Sequence, residues 1–288
     1  MRLDIIGIAI IIVSTICILL TLNWGGYTYA WNSPMIVVLL CVGIVGYIIF
    51  GFVESFIVVE PIAPRFLQGI SFYSFIIYAS DYFQVVKEFS ATTYRTALIP
   101  YILGFSVAAA LTGQLYSYTN KITYRLVCLI GSTFMTIGFG LITMWNENSN
   151  FSELIGSMII VGFGAGIICQ ALLLCYQESI KQKDIASATS LLLFSVALGG
   201  VLGNAIIGNL FNNNLIRSLS SLSLPQNFTP QSVYSVYSVQ FLPVSSRDLI
   251  IHSYLIALQS AFIIYIPMCV LSFIISLLLE NIKRSYGE

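Results

Sequence analysis

Apolar runs of membrane-spanning length alternate with short polar segments along almost the whole chain. Found with windows of about 19 residues, these runs are roughly 4–24, 35–55, 69–86, 95–117, 124–145, 153–178, 185–210 and 253–280. A helix needs about 20 apolar residues to cross the hydrocarbon core of a bilayer. The pattern therefore predicts an all-α integral membrane protein with about eight transmembrane helices.

Within the stretch from 161 to 211, two apolar runs carry small residues four positions apart. Gly162 and Gly166 lie in the first run, and Gly199 and Gly203 lie in the second. In lipid, helices associate where small residues let their backbones approach closely. The spacing predicts a tightly packed helical hairpin, in which the glycines serve packing alone or belong to the moving core of a transporter.

Two prolines lie inside predicted spans, Pro100 and Pro267. Proline frees a backbone carbonyl and kinks a helix. Pro100 is therefore a candidate hinge, although a kink that serves only packing fits the sequence equally well.

Composition supports the membrane prediction, with 58% hydrophobic residues, 8% charged residues and a mean hydropathy of +0.91. A soluble domain of this length has too little interior to bury so much apolar surface. The formal net charge of zero gives no indication of nucleic-acid binding. The cysteines all fall in apolar runs and the chain has a single histidine, so neither a disulfide framework nor a metal site is predicted. Phosphate-loop and hydrolase motifs are lacking, so we expect neither an enzyme nor a bound cofactor.

An even number of spans puts both termini on one side of the membrane, and the cations suggest which side. With cytoplasmic termini, the inner cations are Arg2, Arg65, Lys121, Arg125, Lys181, Lys183, Lys283 and Arg284. The outer cations are then Lys87, Arg95, Arg217 and Arg247. This bias follows the positive-inside rule. The glycosylation sequons at Asn150 and Asn227 both fall in outer loops under the same topology.

Asp81 is the one acidic residue well inside a predicted span. A carboxylate at this depth usually faces a cavity or a partner rather than lipid. Asp81, together with Arg95, is therefore a candidate for proton or charge handling. The alternative is an interfacial aspartate paired with Lys87 or Arg95, both of which are long enough to reach inward.

Amide side chains form the second group of candidates. Gln170 and Gln177 lie seven positions apart, on one face of a helix, and Gln84 and Asn204 lie in other spans. Amides suit a cavity that binds varied organic molecules, and they serve equally well to join helices by hydrogen bonds. We take these four residues as substrate-cavity candidates.

The order of short motifs resembles the C-terminal half of a fungal fourteen-span drug:proton antiporter of the major facilitator superfamily. In chain order the matching residues are Asn23-Trp24-Gly25-Gly26, Trp31, Glu60-Pro61-Ile62-Ala63-Pro64, Tyr82-Phe83-Gln84, Ser90-Ala91-Thr92, Leu98-Ile99-Pro100, Gly162, Gly164, Gly166, Gln170, Gln177, Asp184, Ala186, Ala188, Thr189, Gly199-Gly200, Gly203, Leu242-Pro243, Arg247-Asp248, Tyr254 and Pro267. Each motif is weak alone, and the order carries the resemblance over nearly the whole chain.

The resemblance implies two linker transmembrane helices in residues 1–60 and a six-helix bundle in 61–288, with an outer loop at 211–252. It implies proton-coupled export of drugs or toxins across the lipid bilayer, with siderophore and basic amino acid transporters as alternative relatives. The plasma membrane is the expected location and the vacuolar membrane the alternative. Tyr94-Arg95 and Asp81 depart from the family pattern at their positions.

The family's N-terminal bundle has no counterpart in this chain, and alternating access rocks one bundle against another. The sequence therefore leaves three hypotheses. The chain works with a second bundle supplied by a homo-oligomer or a full-length relative, its start lies further upstream, or it is a truncated paralogue that acts as a non-transporting membrane partner.

Overall fold

The computed structural model describes residues 5–25, 29–53, 62–118, 123–178, 180, 182, 185–220 and 244–278, and these residues are almost entirely helical. The helices are α1 (Ile5–Trp24), α2 (Pro34–Val53), α3 (Ile62–Asp81), α4 (Ala91–Ala97), α5 (Ile99–Tyr118), α6 (Tyr124–Ile142), α7 (Phe151–Glu178), α8 (Ile185–Ser220), α9 (Val244–Ile263) and α10 (Tyr265–Leu278). A π-helical turn, Tyr82–Val86, continues α3.

Several helical stretches have the length and composition of membrane spans. In the described part of the chain, five qualify: Thr92–Tyr118, Tyr124–Ile142, Phe151–Glu178, Thr189–Ser220 and Arg247–Leu277. Shorter apolar helical segments lie in α1 and α2, and α3 is less apolar because it carries residues such as Arg65, Gln68 and Asp81. The prediction of an all-α, multi-pass integral membrane protein is confirmed.

Three predicted boundaries need correction. α3 begins at Ile62 rather than near residue 69, so Arg65 is a buried helical residue and does not lie in an inner loop. α8 continues to Ser220, and α9 already begins at Val244. The helices extend because they bury apolar side chains beyond the predicted ends, such as Leu215 on α8 and Ile250 on α9. The predicted outer loop, 211–252, is thus helical at 211–220 and 244–252, and residues 221–243 lie outside the described residues.

The helices are interrupted just before each proline in a predicted span. The break between α4 and α5 falls at Leu98, two residues before Pro100, and the break between α9 and α10 falls at Ile264, three residues before Pro267. Each proline thus lies in the first turn of a new helix, where its lack of an N–H is tolerated.

The prediction that the two helices of residues 161–211 form a tightly packed hairpin is wrong. α7 packs mainly against α5 and α6, whereas α8 packs mainly against α3 and α9. Helices α1 and α2 pack against one another, and α1 also contacts α8. The small residues therefore join each arm of the hairpin to a different neighbour.

The glycines mark the closest approaches between these neighbouring helices. A Cβ atom at Gly162 would overlap the carbonyl oxygen of Tyr101, and one at Gly166 would overlap that of Phe105. On the other side of the bundle, a Cβ at Gly199 would overlap the carbonyl oxygen of Phe66. Gly203 follows one turn later, where a Cβ would lie 2.8 Å from the Cα of Ile70. Small residues thus set the distances between α5 and α7 and between α3 and α8.

Candidate functional site

A row of polar and charged side chains runs along one face of α3. Its members recur every three or four residues, as one helical face requires: Arg65, Gln68, Ser71, Ser74, Tyr78 and Asp81. All of them are buried except Asp81, which is half-buried. The row therefore lines the interior of the bundle along nearly the full length of the helix.

At the N-terminal end of this row, two side chains connect α3 to α7. Nη1 of Arg65 donates to Oε1 of Gln68, and Nε2 of Gln68 donates to the carbonyl oxygen of Ala165. Arg65 is only 7% exposed, and its Nε has no hydrogen-bond partner among the described residues. This end of the row is a buried, positively charged link between two helices.

At the other end of the row, Asp81 and Asn204 lie near the same tyrosine. The hydroxyl of Tyr78 donates to the carbonyl oxygen of Asn204 over 3.4 Å, and Asp81 lies near enough to Tyr78 and Tyr254 for its charge to act on both. Oδ1 of Asn204 is buried and lacks a partner in the described part of the structure. This end of the row thus brings a carboxylate and two phenols together where α3, α8 and α9 meet.

Neither cation proposed as a partner of Asp81 pairs with it in the structure. Nζ of Lys87 donates to the carbonyl oxygens of Glu147 and Ser149, at 2.6 and 2.8 Å, and Arg95 is exposed on α4. Burial lowers the pKa of Lys87, and the carboxylates of Glu153 and Glu147 act in the opposite direction. Among the described residues, Asp81 forms no ion pair.

The segment 143–150 is held to the surrounding helices at this end of the bundle. Trp145 is buried and accepts a 2.7 Å hydrogen bond on its carbonyl oxygen from Gln259. The hydroxyl of Tyr82 donates to the carbonyl oxygen of Asn146, also over 2.7 Å. His252 lies 3.2 Å from a carboxylate oxygen of Glu147. These contacts connect the segment to the π-helical turn and to α9.

The amide candidates do not converge on one cavity. Nε2 of Gln177 donates to Oγ1 of Thr189 over 3.3 Å, which joins α7 to α8. Gln170 lies beside Gly113 of α5, and Gln84 donates to the carbonyl oxygen of Ser80 in its own helix. Of the candidate residues, the structure brings together only Asp81 and Asn204, through their shared neighbour Tyr78.

Asn150, the first glycosylation candidate, is exposed at the start of α7. Its backbone N–H donates to Oε2 of Glu153, and the backbone N–H of Glu153 donates to its carbonyl oxygen. Such reciprocal contacts stabilise a helix N-terminus. Asn227 lies outside the described residues.

Sequence reasoning missed the row on α3 because the predicted span began near residue 69, which left Arg65 and Gln68 outside it. The signal that could have revealed it is the recurrence of polar residues at intervals of three and four, which extends from Arg65 to Asp81.

Comparison with known proteins relates this bundle to one family. A family model described as the Major Facilitator Superfamily matches residues 55–204. The MFS-type transporter dmxR4 of Cryptosporiopsis sp. is 31% identical over 270 residues, covering 93% of this chain and 45% of that protein. The Aspyridones efflux protein of Neocamarosporium betae is 30% identical over 298 aligned positions, covering 95% of this chain and 51% of that protein. The chain thus spans about half the length of these curated relatives.

A solved structure supports the same fold. It is a bacterial homologue of the human lysosomal transporter Spinster, in an inward-facing and occupied conformation. It has a TM-score of 0.54 and 14% sequence identity, and the match covers 94% of this chain and 64% of that one. At this identity, the likeness concerns the fold alone.

Proposed function

Since the chain belongs to the Major Facilitator Superfamily, we propose that it forms the C-terminal helical bundle of a membrane transporter, preceded by two linker helices. Residues 61–288 would make up the bundle and residues 1–60 the linker. The packing of α1 on α2, with α1 touching the bundle at α8, supports this division. Nδ2 of Asn209 on α8 donates to the carbonyl oxygens of Leu22 and Gly25, at 2.8 and 3.2 Å, and so ties the C-terminal end of α1 to the bundle.

We propose that the transporter exports small organic molecules in exchange for protons. The observation that carries this proposal is the carboxylate of Asp81, which lies half-buried in the bundle without an ion pair in the described structure and shares the neighbour Tyr78 with Asn204. A carboxylate at membrane depth that has no fixed counter-ion is suited to bind and release a proton. One of the relatives is named an efflux protein, and that agrees with export as the direction.

Transport by alternating access requires a second bundle facing this one. In our proposal, that bundle is provided by further residues of the same polypeptide, by a second copy of the chain or by a full-length relative. Gln84, Gln170 and Gln177 would then contribute to the substrate path as adaptable hydrogen-bonding groups. The glycines of α7 and α8 would keep the bundle compact while it tilts. The helix break before Pro100 would act as a hinge.

Export is tested in cells that express the chain and are loaded with a cationic fluorescent dye. We expect dye to leave these cells faster than it leaves control cells, and we expect a protonophore to abolish the difference. Equal efflux from both cell lines would favour a non-transporting membrane partner instead. Crosslinking in the same membranes identifies a partner bundle, through a homodimer or a complex with a full-length relative.

We further propose that the protein lies in the plasma membrane. Both termini would be cytoplasmic, and Asn150 would be on the outer side. Ser152→Ala removes the sequon and leaves Asn150 and its backbone contacts with Glu153 in place. If Asn150 carries a glycan, a glycosidase will increase the gel mobility of the wild-type chain more than that of Ser152→Ala. An identical response of both proteins, with the sequon at Asn227 intact in each, would contradict an outer, glycosylated Asn150.

Immunostaining tests the proposed location. Staining of the vacuolar membrane rather than the cell surface would overturn it.

A further inference from the structure

A small cavity with both polar and apolar lining residues lies in the core of the bundle, where α3, α6, α7 and α10 meet. Its polar lining includes Gln68 and Ser71 of α3, Ser132 of α6 and Ser272 of α10, and Met135 lies beside them. About 10 Å³ of it is open to the centre of a water molecule. That volume is close to the minimum needed to hold one water molecule.

The hydrogen bonds around the cavity leave one hydroxyl without a partner. Ser71 donates to the carbonyl oxygen of Leu67 over 3.3 Å, and Ser132 donates to that of Cys128 over 2.8 Å. Both hydroxyls use their proton within their own helix and retain lone pairs that can accept. Oγ of Ser272 is buried, with 4% of the residue exposed, and has no partner in the described structure.

A buried hydroxyl without a partner is destabilising, and such groups in native proteins are usually satisfied by protein atoms or by ordered water. Water fits this cavity because it accepts from one neighbour and donates to two others. A water molecule needs two to four polar partners to remain bound in a protein interior. The four polar side chains that line the cavity supply that number.

We propose that the cavity binds one ordered water molecule, which accepts from Ser272 and donates to the hydroxyl oxygens of Ser71 and Ser132. The water links α10 to α3 and α6 at the level of the cavity. The proposal concerns the bundle itself and is independent of whether the chain transports anything.

Radiolytic footprinting tests the site, because X-rays generate hydroxyl radicals from bound water that oxidise adjacent side chains. Met135 lies at the cavity and is 2% exposed, whereas Met158 on α7 is 0% exposed and lies outside the cavity lining. We expect Met135 to be oxidised severalfold faster than Met158 in the intact protein. When the experiment is run in ¹⁸O-labelled water, the oxygen added to Met135 should carry the label. Equal and slow oxidation of the two methionines would overturn the proposal.

A serine substitution provides a second test. Ser272→Ala removes the proposed donor, so we expect oxidation of Met135 to fall to the rate of Met158 and the melting temperature to drop. A dry cavity predicts the opposite sign, since removing an unsatisfied hydroxyl stabilises the protein. Ser276→Ala is the matched control, because Ser276 is buried one turn further along α10 and donates to the carbonyl oxygen of Ser272 over 2.7 Å. It should leave the oxidation of Met135 unchanged.

Discussion

Gly166→Ala will destabilise the bundle, whereas Gly156→Ala on the same helix will leave its stability unchanged or raise it. A Cβ at Gly166 would overlap the carbonyl oxygen of Phe105 and lie 3.0 Å from the Cβ of Ala108. Because backbone atoms of α5 meet this glycine, the two helices must move apart to admit a methyl group. No atom lies within 4 Å of a Cβ at Gly156, so that substitution adds only helix propensity.

The expected size of this effect follows from two opposing terms. Overpacking of a well-packed interior costs about 1–3 kcal/mol, and replacing glycine by alanine in a helix returns about 0.5–1 kcal/mol. Gly166→Ala should therefore lose roughly 1–2 kcal/mol net. Thermal unfolding in detergent gives the comparison, with a melting temperature a few degrees below that of the wild type. Equal melting temperatures for the two variants would show that α5 and α7 do not cross at Gly166.

Asp81→Asn will abolish gradient-driven export while the folded bundle is retained. Asparagine has nearly the same shape and keeps a hydrogen-bonding oxygen beside Tyr78, but it cannot bind and release a proton. If Asp81 carries the coupling proton, dye efflux should fall to the level of cells without the chain. The measurement is efflux normalised to the amount of protein in the membrane, together with thermal unfolding of the purified variant.

Glu88→Gln is the matched control for this substitution. Glu88 is an exposed carboxylate a few residues further along the chain, and it pairs with Arg247 over 2.8 Å outside the polar row of α3. Its loss breaks a surface ion pair of small energetic value and leaves Asp81 untouched. Export by Glu88→Gln should persist. Full proton-driven export by Asp81→Asn would remove Asp81 from the proposed mechanism.

The class of fold and most helix positions could be predicted from hydropathy alone. Long apolar runs leave a helix as the favoured spanning structure, because every backbone polar group must be satisfied within the bilayer. α6 begins at Tyr124, at the predicted residue, and α1 and α2 end within a few residues of their predicted limits. The errors arose where helices extend past the apolar core, as at Ile62 and Ser220, because polar side chains lower the hydropathy of such ends. These polar side chains are buried at the start of α3 and mostly exposed at the end of α8.

The partners of each helix could not be predicted in the same way. The spacing of Gly162 and Gly166 identifies a face that packs closely, but it does not say which helix lies against it. Proximity in sequence suggested that α7 and α8 pack on one another, whereas the fold places α5 against α7 and α3 against α8. Which helices pair depends on how all of the neighbouring helices pack together, and a local sequence pattern does not contain that information.

The candidate site was only partly accessible to sequence reasoning. Asp81 stood out as a lone carboxylate in an apolar run, and its alternative pairing with Lys87 depended on where that lysine points. The structure directs Lys87 to the carbonyl oxygens of 143–150, a segment distant in sequence. Asp81 and Asn204 share the neighbour Tyr78 because α8 packs on α3, and their sequence positions do not reveal this packing.

The central claim, that this chain takes part in proton-coupled export, is tested most directly in vesicles. The chain is purified from its native membranes with any bound partner, reconstituted, and given an imposed pH gradient while dye and proton movements are recorded together. We predict dye movement opposite to the proton flux, stopping when a protonophore dissipates the gradient. Equal dye movement in vesicles with and without the protein, at every gradient applied, would contradict the account.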